Sequence, residues 1–273
     1  MAFRKNFIEL PFGIMAYVKA GEAPGIVVLL HGIPTSSYLW RNVVPLLQGD
    51  FTVYAPDMLG YGDSDKPEDE DLSISAQADY LKVLADALGL RKFHLAGHDI
   101  GGGVAQIFAA RYPGLLEKLV LIDTIAYDSW PEPSIDRLKD PSWDEKLKLR
   151  DLRVGFRKGF EGGLVHQERI SDEMLEGYIG PFTSRQGRMN YLRAARALVT
   201  SDLLDMASEI ERIPHETLIL WGAKDPFQDV SYGERLVEAL KNARLMQCDD
   251  GSHFLPEDRP DWVADQMRNF LKK

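Results

Sequence analysis

Cysteine is almost missing from this chain. Cys248 is the only one in 273 residues, so no intrachain disulfide can form, and disulfide-stapled scaffolds are excluded. Long apolar runs are missing too. None approaches the roughly 20 residues that cross a bilayer, so no membrane partner is expected. Met1 to Leu10 lacks the charged-then-apolar order of a secretion signal. With the lone thiol, that sets a cytoplasmic location as the expectation. There is no basic excess. Lys and Arg total 32 against 42 Asp and Glu, a formal charge of −10, which disfavours nucleic acid and anionic surfaces as partners. No His-rich or Cys-rich spacing marks a metal site. Gly60-Tyr-Gly-Asp-Ser64 is glycine-rich but follows no phosphate-binding pattern. Neither metal nor cofactor is expected, and no repeat or low-complexity tract is present.

What remains is an ordinary globular composition, 45% hydrophobic, enough for one large core. The first half alternates strand-like and helix-like segments. Residues 6–10 and 13–18 read as a strand pair around a Pro-Phe-Gly turn. The apolar runs at 25–30, 51–55, 93–96 and 119–122 read as strands covered on both faces. Helical periodicity runs over 36–47, 75–88 and 103–112. From about Ala126 the texture changes to prolines, aromatics and helix-like pieces without a convincing strand, up to about Arg212. The strand–helix rhythm then returns, with strands at 217–221 and 244–248 and helices at 232–240 and 260–273. This order predicts an α/β fold with a mostly parallel eight-stranded sheet flanked by helices. Residues 1–125 and 213–273 form its core, and residues 126–212 form a helical lid (cap) inserted after the sixth strand.

Gly97-His-Asp-Ile-Gly-Gly102 lies between the strand and helix at the centre of this pattern. Strand, sharp small-residue turn, helix is the setting of a nucleophile elbow, here with Asp99 at its tip. A carboxylate is a poor nucleophile for carbonyls but can displace a leaving group from a saturated carbon. Such a nucleophile needs a base, an orienting acid and N–H donors. His253, in Asp250-Gly-Ser-His-Phe, follows the last strand and is the candidate base. Asp225, in Trp221-Gly-Ala-Lys-Asp-Pro, is the preferred acid, with Asp123 as a rival location. The backbone N–H groups of Ile33 and Ile100 are the expected oxyanion hole. His31 and His98 read as braces for the loop and elbow.

These motifs resemble the α/β-hydrolase superfamily, in its Asp-nucleophile branch of epoxide hydrolases and haloalkane dehalogenases. The resemblance covers nearly the whole chain: His31-Gly-Ile-Pro34, Asp57-Met-Leu-Gly-Tyr-Gly-Asp-Ser64, the Asp99 elbow, the late lid, Asp225 and His253. It implies attack by Asp99 on carbon, an alkyl-enzyme ester, and release by water activated by His253. Dehalogenases of this branch place Trp directly after the nucleophile and often Asn in the His-Gly-x-Pro loop. Here those positions hold Ile100 and Ile33, whose side chains donate nothing. Fluoroacetate-type enzymes use arginines near the elbow, where this chain has Ile100 and Gly103. Epoxide hydrolases use lid phenols as acids. Tyr127, Tyr178 and Tyr191 lie in the lid, and Met189-Asn-Tyr-Leu-Arg193 resembles a tyrosine-bearing family segment shifted by one position. Tyr191 and Tyr178 are the preferred donor pair. The implied activity is opening of a small, largely apolar epoxide to a vicinal diol. The alternatives are a haloalkane dehalogenase with donors at Trp130 or Trp143, and a non-catalytic binder of small ligands on a hydrolase fold.

Overall fold

The computed structural model describes residues 4–272. Lys273, which the periodicity included in the last helix, lies outside the described residues. Eight strands form one sheet: β1 Lys5–Leu10, β2 Gly13–Ala20, β3 Ile26–Leu30, β4 Thr52–Pro56, β5 Phe93–His98, β6 Leu116–Ile122, β7 Thr217–Gly222 and β8 Ala243–Cys248. Their order across the sheet is β1-β2-β4-β3-β5-β6-β7-β8. The β1–β2 hairpin is antiparallel and joins β4 antiparallel, and all later pairs are parallel. β5 and β7 are buried at every residue. That explains their unbroken apolar runs, because helices cover both faces of a parallel sheet.

The longer helices are α1 Ile74–Ala87, α2 Ile100–Arg111, α3 Leu149–Gly163, α4 Asp172–Ile179, α5 Arg185–Arg196, α6 Val230–Ala239 and α7 Pro260–Leu271. Ser73 caps α1 by accepting from the Ala76 N–H, and the helix buries Ile74, Ala78, Leu81 and Ala85. α2 is buried from Ile100 to Ala109, and its three leading glycines let it lie directly against the sheet. Residues 36–47 do not form the continuous helix that their periodicity suggested. They fold as a 3₁₀ turn, Ser37–Trp40, and a separate short helix, Val44–Leu47. Pro45 has no N–H to donate to a preceding turn, and its ring excludes the helical carbonyl before it. Between β6 and β7 the described residues form helices and no strand. This helical insertion carries α3, α4 and α5 across the carboxyl edge of the sheet.

Candidate active site

The elbow forms because β5 must reverse into α2 with no room for side chains. A Cβ at Gly97 would collide with the Gly101 carbonyl, and one at Gly32 would strike the Asp99 side chain. Asp99 itself sits at φ 54°, ψ −122°. That backbone conformation costs an L-residue about 1–3 kcal/mol and persists only where neighbours impose it. The strain aims the carboxylate away from the sheet. Its Oδ1 accepts the Ile33 N–H at 2.9 Å, and the Ile100 N–H also bonds this carboxylate. The two expected oxyanion donors therefore already grip the Asp99 carboxylate. Asp99 is 6% exposed. Burial lifts its carboxyl above the ordinary range, against the opposing pull of His253 and the two amides.

His253 stands on the other side. Its Nε2 lies 4.0 Å from Asp99 Oδ2, too far for a direct hydrogen bond and suited to a water between them. Its Nδ1 lies 2.9 Å from Asp225 Oδ2. Asp225 is oriented by its own loop, with Oδ1 accepting the Phe227 and Gln228 N–H groups at 2.8 and 3.0 Å. Burial alone would push the His253 imidazole down, but the charge and hydrogen bond of Asp225, with the charge of Asp99, raise it above its ordinary value. The rival acid, Asp123, does not reach the imidazole. Its Oδ1 accepts the Gly222 N–H at 2.7 Å, and the Leu255 N–H also bonds this carboxyl. Burial and the neighbouring Asp225 charge push its carboxyl well above the ordinary range.

The other two histidines make structural contacts. His31 Nδ1 bonds the Gly32 carbonyl at 2.8 Å, and its Nε2 accepts the Met58 N–H at 3.1 Å. Burial pushes its pKa down to about 4, so it stays neutral. His98 Nε2 bonds the His253 carbonyl at 2.8 Å and ties the elbow to the loop that carries His253. Among the described residues, no group of three or more His, Cys, Asp or Glu side chains is arranged to hold a metal.

Above Asp99 lies a cavity of about 590 Å³ between the sheet edge and the helical insertion, in the range that holds a small organic molecule. Tyr191, Trp130, Trp143, Phe227 and Gln228 line it with Asp99 and His253. The two preferred tyrosines differ. Tyr191 is 9% exposed and faces the cavity, and its hydroxyl has no hydrogen-bond partner among the described residues. Burial raises its pKa, so the phenol keeps its proton at neutral pH. Tyr178 is a correction to the expected pair. Its hydroxyl donates to Glu257, which also pairs with Arg41, and its ring packs on Tyr38 and Phe160. It does not line the cavity. Tyr127 also points elsewhere, with its ring under the Arg235 guanidinium. Trp130 lines the cavity but donates its indole N–H to the Tyr127 carbonyl at 3.2 Å.

Two features escaped the sequence reading. Gln228 is buried at the cavity wall with its amide oxygen unpartnered. Its one available signal was its place three residues after Asp225. Asp258 joins the His253 loop to the insertion: Oδ2 accepts the Ser252 and Val165 N–H groups at 2.9 and 3.0 Å, and Oδ1 accepts the His166 N–H at 2.9 Å. Phe254 N–H donates to the Gly163 carbonyl beside it. No local pattern announces a contact that spans more than 90 residues.

A family model described as alpha/beta hydrolase fold matches residues 25–260. The chain belongs to the α/β-hydrolase fold family. Within it, this α/β-hydrolase is 31% identical over 277 residues to a soluble epoxide hydrolase of Corynebacterium sp. (strain C12), covering 94% of this chain and 93% of the relative. It is 27% identical over 291 residues to a cis-3-alkyl-4-alkyloxetan-2-one decarboxylase of Shewanella oneidensis, covering 99% and 89%. Among solved structures it superposes on the haloalkane dehalogenase DbeA of Bradyrhizobium elkani with a TM-score of 0.85. That match is 27% identical and covers 98% and 97% of the two chains. The α/β-hydrolase described here falls in the epoxide hydrolase and dehalogenase branch. No helix among its described residues is long and apolar enough to cross a membrane.

Proposed function

We propose that this α/β-hydrolase opens small, largely apolar epoxides to vicinal diols, with Asp99, His253 and Asp225 as its catalytic residues and residues 126–212 as its lid. The observation that carries the reading is an unpaired, protonated phenol, Tyr191, in the same cavity as Asp99. Asp99 Oδ2 attacks one epoxide carbon, and the carbon–oxygen bond breaks as the ester forms. The departing alkoxide takes the Tyr191 proton. Oδ1, held by Ile33, becomes the ester carbonyl. A water between His253 and the ester gives its proton to Nε2 and attacks Cγ. The Ile33 and Ile100 N–H groups bind the resulting oxyanion. Collapse expels the diol oxygen, which takes the His253 proton, and the proton left on the new Asp99 carboxyl passes to the Tyr191 phenolate, which restores both groups. Asp225 holds His253 with Nδ1 protonated, so that Nε2 is free to accept. No cofactor enters the cycle.

Halide release is the less supported reading. Ile33 and Ile100 lack side-chain donors, and the Trp130 N–H is bonded within the backbone, which leaves Trp143. The Shewanella relative supports a different second reading, a four-membered lactone in place of the three-membered ether, since both are strained rings open to carboxylate attack. One panel separates these: terminal epoxides read as diol, haloalkanes read as free halide, and a cis-3,4-dialkyloxetan-2-one read as released carbon dioxide. Diol formation is the expected result. Halide release without diol from any epoxide would overturn the proposal.

A further inference from the structure

Helix α3 carries four glycines, Gly155, Gly159, Gly162 and Gly163, within 15 residues. Apart from proline, glycine is the least favourable residue for a helix interior, so this content calls for a reason. At 100° per residue, Gly155, Gly159 and Gly162 fall on one face. All three line the cavity above Asp99. On one side of this strip lie the buried Leu152, Phe156 and Phe160, and on the other the exposed Asp151, Val154 and Lys158.

The strip is open space and not close packing. A Cβ built on Gly155 or Gly159 meets no heavy atom within 4 Å, and one on Gly162 meets only Phe227 Cζ at 3.6 Å. Gly163 is the contrast. Its Cβ would sit 2.7 Å from the Phe254 ring, so it is required by packing. The helix therefore leaves a trough about 10 Å long, taking 1.5 Å per residue from 155 to 162. The inner end of the trough lies beside Phe227, whose ring packs on His253. Its outer end lies by Val154, which is 55% exposed. Tyr191, 9% exposed as a residue, lines the same cavity, and its hydroxyl has no hydrogen-bond partner among the described residues. A polar group at the reacting end and a side-chain-free wall leading outward suit a ligand with one polar head and one extended apolar arm.

We propose that the Gly155–Gly159–Gly162 face of α3 is the subsite for that arm, and that it selects substrates with an unbranched alkyl or flat aryl extension over short ones. This rests on the small-ring reading of the site, and its test is chosen to stand apart from it. The measured quantity is the ratio of kcat/KM for 1,2-epoxydodecane to that for 1,2-epoxybutane, in wild type, Gly159→Val and Gly155→Ala/Gly159→Ala. In parallel, binding of 1,2-dodecanediol and 1,2-butanediol is measured by calorimetry. The Val variant should lower the long-to-short ratio about tenfold, the scale on which a hydrophobic pocket discriminates small volume changes. The double Ala variant should lower it less while raising Tm by about 2 °C per site, because Ala is the better helix former and meets no obstacle. A ratio within twofold of wild type in the Val variant, or a lowered Tm in the Ala variant, would overturn the subsite. If wild type turns over neither epoxide, the ring-opening reading has failed. The diol-binding ratio then decides the subsite alone, supported by weaker dodecanediol binding in Gly159→Val and overturned by unchanged binding.

Discussion

Replacing Asp225 with Asn should separate the two halves of the reaction. Asp225 Oδ1 accepts two backbone N–H groups, from Phe227 and Gln228. An amide at this position must keep its oxygen there, because its NH₂ would face two donors. The NH₂ is then forced to the Oδ2 position, 2.9 Å from His253 Nδ1. It donates to Nδ1, so the imidazole proton moves to Nε2. An Nε2 that carries a proton cannot take one from water. Ester formation by Asp99 does not need the base, whereas ester hydrolysis does. The same wrong-tautomer substitution in a Ser-His-Asp triad lowers kcat by about 10⁴, or about 5.5 kcal/mol. Stopped-flow with an epoxide in slight excess should show a burst of ring opening equal to the enzyme concentration. Steady turnover should follow, reduced by about 10³–10⁴. The reasoning fails if the burst and the steady rate fall together, or if steady turnover stays within threefold of wild type.

Tyr191→Phe removes a hydroxyl that has no hydrogen-bond partner among the described residues, so stability should hold within about 0.5 kcal/mol while kcat for epoxides falls about 10²-fold or more. Tyr178→Phe should instead lower stability, read by urea unfolding, and leave the burst amplitude intact. Asp258→Asn should keep its oxygen towards the Ser252 and Val165 N–H groups and turn its NH₂ towards the His166 N–H. One orphaned donor costs about 1–3 kcal/mol, which a lowered urea midpoint would show. The two half-reactions should also differ in pH dependence. Ester formation needs ionised Asp99 and is lost as pH falls through its raised carboxyl pKa. Ester hydrolysis needs neutral His253 and grows as pH rises through the imidazole pKa. That pKa is raised in the free enzyme partly by the Asp99 charge. Esterification removes this charge, so the hydrolysis midpoint should lie below the imidazole midpoint of the free enzyme, measured by NMR titration.

The sheet was legible because its strands are buried on both faces and read as unbroken apolar runs bounded by turn residues. The elbow was legible because its small residues meet a steric need that lies within six positions. Other features depended on partners far away in sequence. Its place in the lid makes Tyr178 a candidate donor, but no local pattern shows that Glu257, 79 residues on, claims its hydroxyl. Asp123 and Asp225 both end strands at the same edge. The loop that turns Asp225 towards His253 separates them, through the Phe227 and Gln228 amides. At 36–47 the apolar spacing suggests one helix, and Pro45 keeps the backbone from forming it. The glycines of α3 are poor helix formers, and the cavity beside them gives that weakness a consequence.

The most direct test follows one oxygen atom. In a single turnover in ¹⁸O-enriched water, with enzyme in excess over epoxide, water attacks Asp99 Cγ, and the oxygen that leaves with the diol comes from the carboxylate. Mass spectrometry of the peptide bearing Asp99 should find the label in that side chain, with the diol unlabelled. Label in the diol and none in Asp99 would mean that water attacks the substrate directly, and the covalent account would be wrong.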